Sequence, residues 1–253
     1  MVLDIETKPI KAYTWGIRDV TIPLEFIIED WSVLAASVKW LGEKKIWYWD
    51  LRGQKDLCND KWLVKELWQK IDEADVILTQ NGKGFDEKKL NEKFMEYKMG
   101  PPSPYRHIDT LVIKRNNTAM TSHKLAFSTP KFNRNHKKLD HGRFPGNNLW
   151  VACIAGVKRA WDEMRKYNIA DVLALEELYV DTLRPWDKTI NHSVYSGDKH
   201  ACMNCGDNKS VIRRGFVYTK AGKFQAYHCR ACLSWSTGKD NLLPKPLKKN
   251  LKK

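Results

Sequence analysis

The chain has 253 residues, with 44 Lys or Arg against 30 Asp or Glu and a formal net charge of +14. That length carries one sizeable domain and a small second one, and is too short for a complete replicative polymerase. Apolar residues at 42% fill a core, yet no apolar run approaches the roughly 18 residues that cross a bilayer, and acids at positions 4 and 6 stand where a secretory leader is basic and then apolar; the chain reads as cytoplasmic, with no membrane partner.

In chain order, residues 1–5 read as a short apolar strand, and 32–41 and 45–49 as two more joined by a Gly42-Glu43 turn, an antiparallel meander. Trp62, Leu63, Leu67, Trp68 and Ile71 then recur at helical spacing behind an Asp60 cap. A buried strand over 75–80, an Asn81-Gly82 turn and a helix from about 86 to 97 follow. Strands followed by helix, strand and helix predict an α/β fold, a mixed sheet with helices on its faces. After a Gly100–Pro104 break comes a short strand ending in Asp109. Residues 116–148 are polar and weakly periodic, a long loop with a little helix on the substrate side. Residues 149–155 read as a short helix and 157–183 as a long one stopped by Arg184-Pro185. Domain boundaries are expected at 1–185 for the main domain, 186–200 for a linker, 201–236 for a cysteine-bearing module and 237–253 for a basic tail without regular structure.

The charge is uneven. Residues 186–253 hold 14 Lys or Arg and 4 acids, a net +10, which leaves +4 for residues 1–185. Without an amphipathic helix to enter a lipid surface, that excess points to nucleic acid.

Asp4 and Glu6 are two apart on a strand, so both side chains leave one face of the sheet and repel unless a cation binds. Asp86 follows the Asn81-Gly82 turn and opens a helix. Asp171 lies on an amphipathic helix, with Tyr167 four residues earlier on the same face. Each acid alone has an ordinary explanation as an edge charge, a cap or a solvated helix residue. The apolar frames around them (Val2, Leu3 and Ile5; Phe85; Ile169, Val172 and Leu175) turn them toward a cleft.

These strings resemble a family. LDIET at 3–7, NGKGFDEKKL at 81–90 and YNIADVLALEELY at 167–179 are similar, in order and spacing, to the three motifs of the DnaQ-like, DEDD-type 3′–5′ exonucleases. Lys166 and Tyr167 give the tyrosine, or DEDDy, version of the third motif. Pro9, Ala12, Trp15-Gly16, Glu29-Asp30-Trp31, Ile108-Asp109-Thr110-Leu111 and Leu183-Arg184-Pro185-Trp186 resemble phage-type exonucleases more closely, which for a phage protein implies the host cytoplasm. The resemblance covers nearly the whole chain and implies an RNase H-like (DnaQ-like) mixed β-sheet flanked by helices. It further implies two Mg²⁺ or Mn²⁺ ions: Asp4 bridging both, Glu6 and Asp171 completing the water-activating site, Asp86 holding the second ion through waters, and Tyr167 orienting the attacking water. Hard oxygen donors suit those metals, and paired ions are what phosphodiester hydrolysis asks for. Asn81 and Phe85 shape the cleft wall, with a core role favoured for Phe85. Asp109 serves either behind the site or as a strand-end cap.

Cys202-Met-Asn-Cys205 and Cys229-Arg-Ala-Cys232, 23 residues apart, are two CxxC knuckles around a hairpin at 220–223, the pattern of a small C-terminal zinc ribbon with one structural Zn²⁺. Disulfides or an iron–sulfur cluster are the alternatives, and His200 and His228 stand near enough to substitute as ligands. Arg213, Arg214, Lys220, Lys223 and Arg230 interleave with Phe216, Tyr218, Phe224, Tyr227 and Trp235, which suits single-stranded nucleic acid; the other reading makes these rings the ribbon's own core.

Three functions follow from this sequence. The first is a metal-dependent 3′–5′ exonuclease that degrades DNA to nucleoside 5′-monophosphates, alongside a replication or recombination protein partner. The second is the same enzyme acting on RNA, and the third a catalytically silent nucleic-acid-binding protein.

Overall fold

The computed structural model describes residues 1–18, 20–140, 142–198 and 200–249. They form two compact units, Met1–Leu178 and Tyr179–Lys253.

In the first unit, β1 (Val2–Lys8) is followed by a two-stranded ribbon, β2 (Lys11–Ala12) and β3 (Ile27–Glu29), that the sequence pattern does not announce. Next come β4 (Ser32–Lys39), β5 (Ile46–Asp50), helix α1 (Lys61–Asp72), β6 (Val76–Thr79), α2 (Asp86–Glu96) and β7 (Arg106–Asp109). The main sheet has the order β5-β4-β1-β6-β7. β1 is antiparallel to β4 and parallel to β6, so the predicted meander is one half of a mixed sheet. Period-two alternation in β1 gives each face a different task. Leu3 packs among Ile71, Ile77, Leu90 and Phe94 on the side of α1 and α2, while Asp4 and Glu6 face the other way. β4 is buried along its whole length, and its small residues Ala35, Ala36 and Ser37 let helices lie close.

Helices α3 (Thr110–Asn117), α4 (Leu125–Phe132), α5 (Asn148–Ile154) and α6 (Lys158–Glu177) complete this unit. Trp161, Met164, Asn168, Val172 and Leu175 recur at helical spacing on α6 and are buried, and α6 packs on β1 and β4. Residues 157–183 read as one long helix, but α-helical bonding ends at Glu177. A π-helical turn (Leu178–Leu183) and a 3₁₀ turn (Arg184–Trp186) follow, and Pro185 offers no backbone N–H to continue the ladder. The units divide within that π turn rather than at 185. Asp60 precedes α1 as expected, yet its carboxylate does not cap the helix: it accepts from Val33 N at 2.6 Å and from the Tyr97 hydroxyl.

In the second unit, α7 (His192–Ser196), capped by Asn191, stands inside the segment read as a linker. A three-stranded antiparallel sheet follows, with β9 (Gly222–Cys229) between β8 (Val211–Thr219) and β10 (Trp235–Thr237). The tail read as irregular contributes β10's last residue and a short helix, α8 (Lys245–Lys249); the tail's residues 250–253 lie outside the described residues. Among the described residues no helix is long and apolar enough to cross a membrane.

Candidate active site

β1 and α6 together assemble the acidic cluster. Asp4, Glu6 and Asp171 can each offer a carboxylate oxygen so that the three lie within 4.8 Å of one another. Asp4 and Glu6 come from one face of β1, just ahead of a bulge that shifts the β1–β4 register after Glu6. Asp171 projects from the buried face of α6. Asp86 stands apart from this trio at the start of α2, where it accepts from Ile5 N at 3.2 Å. All four acids and Tyr167 line one open cleft of about 630 Å³.

The turn before Asp86 is sterically dictated. Asn81 is left-handed at φ +66°, and a Cβ on Gly82 would meet Thr79 Oγ1 at 2.1 Å. Asp109 caps α3 through Leu111 N (2.9 Å) and also binds Asn81 N (2.9 Å) and Lys83 N (3.2 Å), so it fixes this turn from behind. Phe85 departs from the core role: it is 38% exposed and lines the cleft.

Three neighbours of the acids escaped the sequence reading. Lys138 Nζ donates to the Tyr167 hydroxyl at 2.5 Å and to Asp171 Oδ2, and lies 4.2 Å from the Tyr167 ring centre. It comes from the weakly periodic segment, where nothing separates it from Lys137. Trp150 Nε1 donates to Glu6 Oε2 at 3.0 Å and packs edge-on against Tyr167 at 5.9 Å; in the sequence it passes as a core residue of α5. Asn168 Nδ2 donates to Asp4 Oδ2 at 2.6 Å, and Ser37 Oγ donates to Asn168 Oδ1 at 2.5 Å. For Asn168 a signal existed, since it is a polar residue in register with Trp161, Met164, Val172 and Leu175.

Lys138 is held in place by Glu177, at the end of α6. The Glu177 carboxylate accepts from Arg134 N (2.6 Å), Asn135 N (2.9 Å), His136 N (2.8 Å) and His136 Nδ1 (2.9 Å). Burial pushes this carboxyl up, but those donors outweigh it and hold it at about 2. Lys138 N itself donates to Thr129 Oγ1 at 3.0 Å.

The acids bear the cost of their burial. Asp4 is held well above the usual carboxylate range by burial and then by the charges of Glu6, Asp171 and Asp86. Glu6 is raised to about 8 by burial and Asp171, and Asp86 to about 7, chiefly by burial. Carboxyls that retain protons this far up are a site asking for positive charge. Hard oxygens converging from one strand and one helix fit Mg²⁺ or Mn²⁺. Between pH 4.5 and about 8 the folded chain binds more protons here than the unfolded chain does, so without divalent ions its unfolding free energy falls as pH rises through that window. Denaturant titrations in chelator should show the first unit less stable at pH 8 than at pH 5, with Mn²⁺ restoring stability at the higher pH. A flat profile would argue against these shifts.

In the second unit, the sulfurs of Cys202, Cys205, Cys229 and Cys232 lie within 4.8 Å of one another, with Cys202–Cys232 at 3.6 Å and Cys205–Cys229 at 3.7 Å. Zn–S bonds of about 2.3 Å in a tetrahedron put sulfurs about 3.8 Å apart, so the four thiols fit zinc. Burial pushes Cys202 up, but hydrogen bonds from Ser234 and from the amides of Asn204 and Cys205 bring it down to about 7; burial raises Cys205 and Cys229. Neither His200 nor His228 belongs to this sulfur group, and the His228 ring lies against Trp235 at 4.8 Å. Of the five cations named above, Arg213 and Lys223 stand on the β8–β9 ribbon beside aromatic rings, Arg214 lies over Trp235, Lys220 is in the hairpin turn, and Arg230 lies within the second knuckle.

The RNase_H superfamily model matches residues 45–183, more than half of the chain. The chain belongs to the RNase_H superfamily. Its α/β architecture, a mixed five-stranded sheet with helices on both faces, is the RNase H-like fold expected from the motifs. Members of the RNase_H superfamily are hydrolytic nucleases that use divalent metals. No curated protein matches the sequence. Among solved structures, the family B DNA polymerase from the hyperthermophilic archaeon Pyrobaculum calidifontis is similar at 16% identity with a TM-score of 0.49. The match covers 73% of this chain and 24% of the polymerase, so the chain spans about a quarter of that protein's length.

Proposed function

We propose that this chain is a DEDDy-type 3′–5′ exonuclease that hydrolyses DNA to nucleoside 5′-monophosphates in the cytoplasm. The observation that carries the reading is the convergence of Asp4, Glu6 and Asp171 beside Tyr167, in an open cleft that Asp86 also lines. These four carboxylates would hold two Mg²⁺ or Mn²⁺ ions. Bound there, such ions supply Lewis acidity toward the phosphate and make water acidic.

The chain's own residues do the rest. Asn168 and Trp150 fix the rotamers of Asp4 and Glu6 by donating to their carboxylates. The Tyr167 phenol is held above its ordinary value, first by burial and then by Asp171, Glu6 and Asp4, so it keeps its proton and positions water as a hydrogen-bond donor rather than acting as the base. Lys138 brings one positive charge to the phenol and Asp171, which eases the crowding of acids and favours a phosphate at the cleft floor. Phe85, half exposed in the cleft wall, is available to the last base. The four thiols would hold one Zn²⁺ as a structural staple. A replication or recombination protein is the expected partner, given a substrate with free 3′ ends.

The test is digestion of 5′- and 3′-labelled DNA and RNA oligonucleotides with Mg²⁺, Mn²⁺ or chelator. A metal-dependent ladder from the 3′ end of DNA is expected. A ladder from RNA alone shifts the substrate, and an inert wild-type chain with every metal would sink the reading.

A further inference from the structure

Simple alternation along β8 puts Arg213 and Phe216 on opposite faces, because they are an odd number of residues apart. The ribbon does not obey it. Arg213 pairs with Tyr227 and Phe216 with Gln225, so three steps on β8 span two on β9. Gly215, left-handed at φ +71°, takes up the extra residue, and Gln225 Nε2 donates to its carbonyl at 2.8 Å. The bulge therefore gathers Arg213, Phe216, Tyr218, Lys223 and Tyr227 on one face. Phe216 and Tyr218 are 47% and 69% exposed there, so they are not the ribbon's core. Lys223 Nζ lies 3.9 Å from the Phe216 ring centre and 5.7 Å from that of Tyr218. Trp235, His228 and Phe224 belong to the opposite face, with Arg214 over Trp235 at 5.6 Å.

We propose that this bulge-assembled face binds single-stranded nucleic acid, with bases stacked on Phe216 and Tyr218 and phosphates paired to Arg213 and Lys223. Exposed rings alone would also suit a protein partner. The charge decides between them: residues 186–253 carry net +10, and the exposed rings have a cation beside them, which matches a polyanion whose bases present π faces. Sequence-independent stacking, rather than base-edge readout, follows from the chemistry of these groups.

The test is binding by the zinc-loaded full chain in buffer free of Mg²⁺ and Mn²⁺, with fluorescent oligothymidylate, oligouridylate and a duplex. No turnover is measured, so failure here is distinct from failure of the nuclease reading. The Phe216→Ala/Tyr218→Ala chain should lose about tenfold in affinity per ring, and Lys223→Ala should flatten the dependence of log Kd on log salt by about 0.7. Phe216→Tyr and Tyr218→Phe should bind as wild type. Should the alanine pair lose its zinc, Phe216→Leu/Tyr218→Leu keeps the bulk without the π faces and is expected to bind as weakly. Wild-type affinity in whichever of these pairs retains zinc, an unchanged salt slope for Lys223→Ala, or equal affinity for the duplex would each overturn the proposal. The thymidylate and uridylate arms tell which sugar the face prefers.

Discussion

Asp4→Ala will reduce metal-dependent nucleotide release by more than the roughly 10²–10³-fold that a single lost donor costs a preorganised site, and it will leave the fold standing. Asp4 is the acid through which the cluster is joined: Glu6 follows it on the same face of β1, Asp171 approaches from α6, and Asn168 donates to it. Its removal takes one of the three converging carboxylates from the site that would hold the metal. The same substitution relieves like-charge crowding, since Glu6, Asp171 and Asp86 all push the Asp4 carboxyl upward. In chelator at pH 8 the variant should therefore melt no lower than the wild type. Tyr167→Phe should cost less activity, because the phenol, held protonated beside Lys138, is proposed to position water and not to hold a metal. Product release by chromatography and thermal melts check both halves. Undiminished degradation by Asp4→Ala removes the carboxylates from the mechanism.

Zinc removal, or Cys205→Ser, should unfold the unit Tyr179–Lys253 while the unit Met1–Leu178 retains its own transition. Among the described residues the smaller unit has a three-stranded sheet and few buried apolar side chains; Cys202 and Cys229 are two of them. A domain with so little core cannot offset its chain entropy unaided, and structural zinc brings about 10–16 kcal/mol of apparent binding free energy in comparable small modules. Burial holds the Cys205 and Cys229 thiols above their ordinary range, so a cation is needed before these two ionise alongside Cys202. Zinc released to a chelating dye, one per chain, should track the loss of the first of two melting transitions. A chain that holds no zinc and melts unchanged would make the knuckles something else.

The strands and helices that carry the acids were legible because burial writes its period into the sequence. Leu3 and Ile5 alternate with Asp4 and Glu6, and the apolar stripe of α6 runs straight through Tyr167 and Asp171. Asn81-Gly82 announced its turn because only glycine fits against Thr79. Lys138 was illegible for the opposite reason: its place depends on four hydrogen bonds to Glu177, a contact across more than forty positions that leaves no local pattern. The same holds for the β8 bulge, since an extra residue in a strand inverts every face assignment beyond it. Phe85 was misassigned because an aromatic at the start of an amphipathic helix reads alike whether it turns inward or lines an opening.

Glu177 ties the path of residues 134–136 to the helix that also presents Asp171. An insertion of one residue between positions 171 and 177 would swing the two carboxylates by about 100° relative to each other, tearing the lysine's anchorage from the acid it neutralises. The six-residue spacing from Asp171 to Glu177 is therefore a length that the site cannot change without losing its lysine.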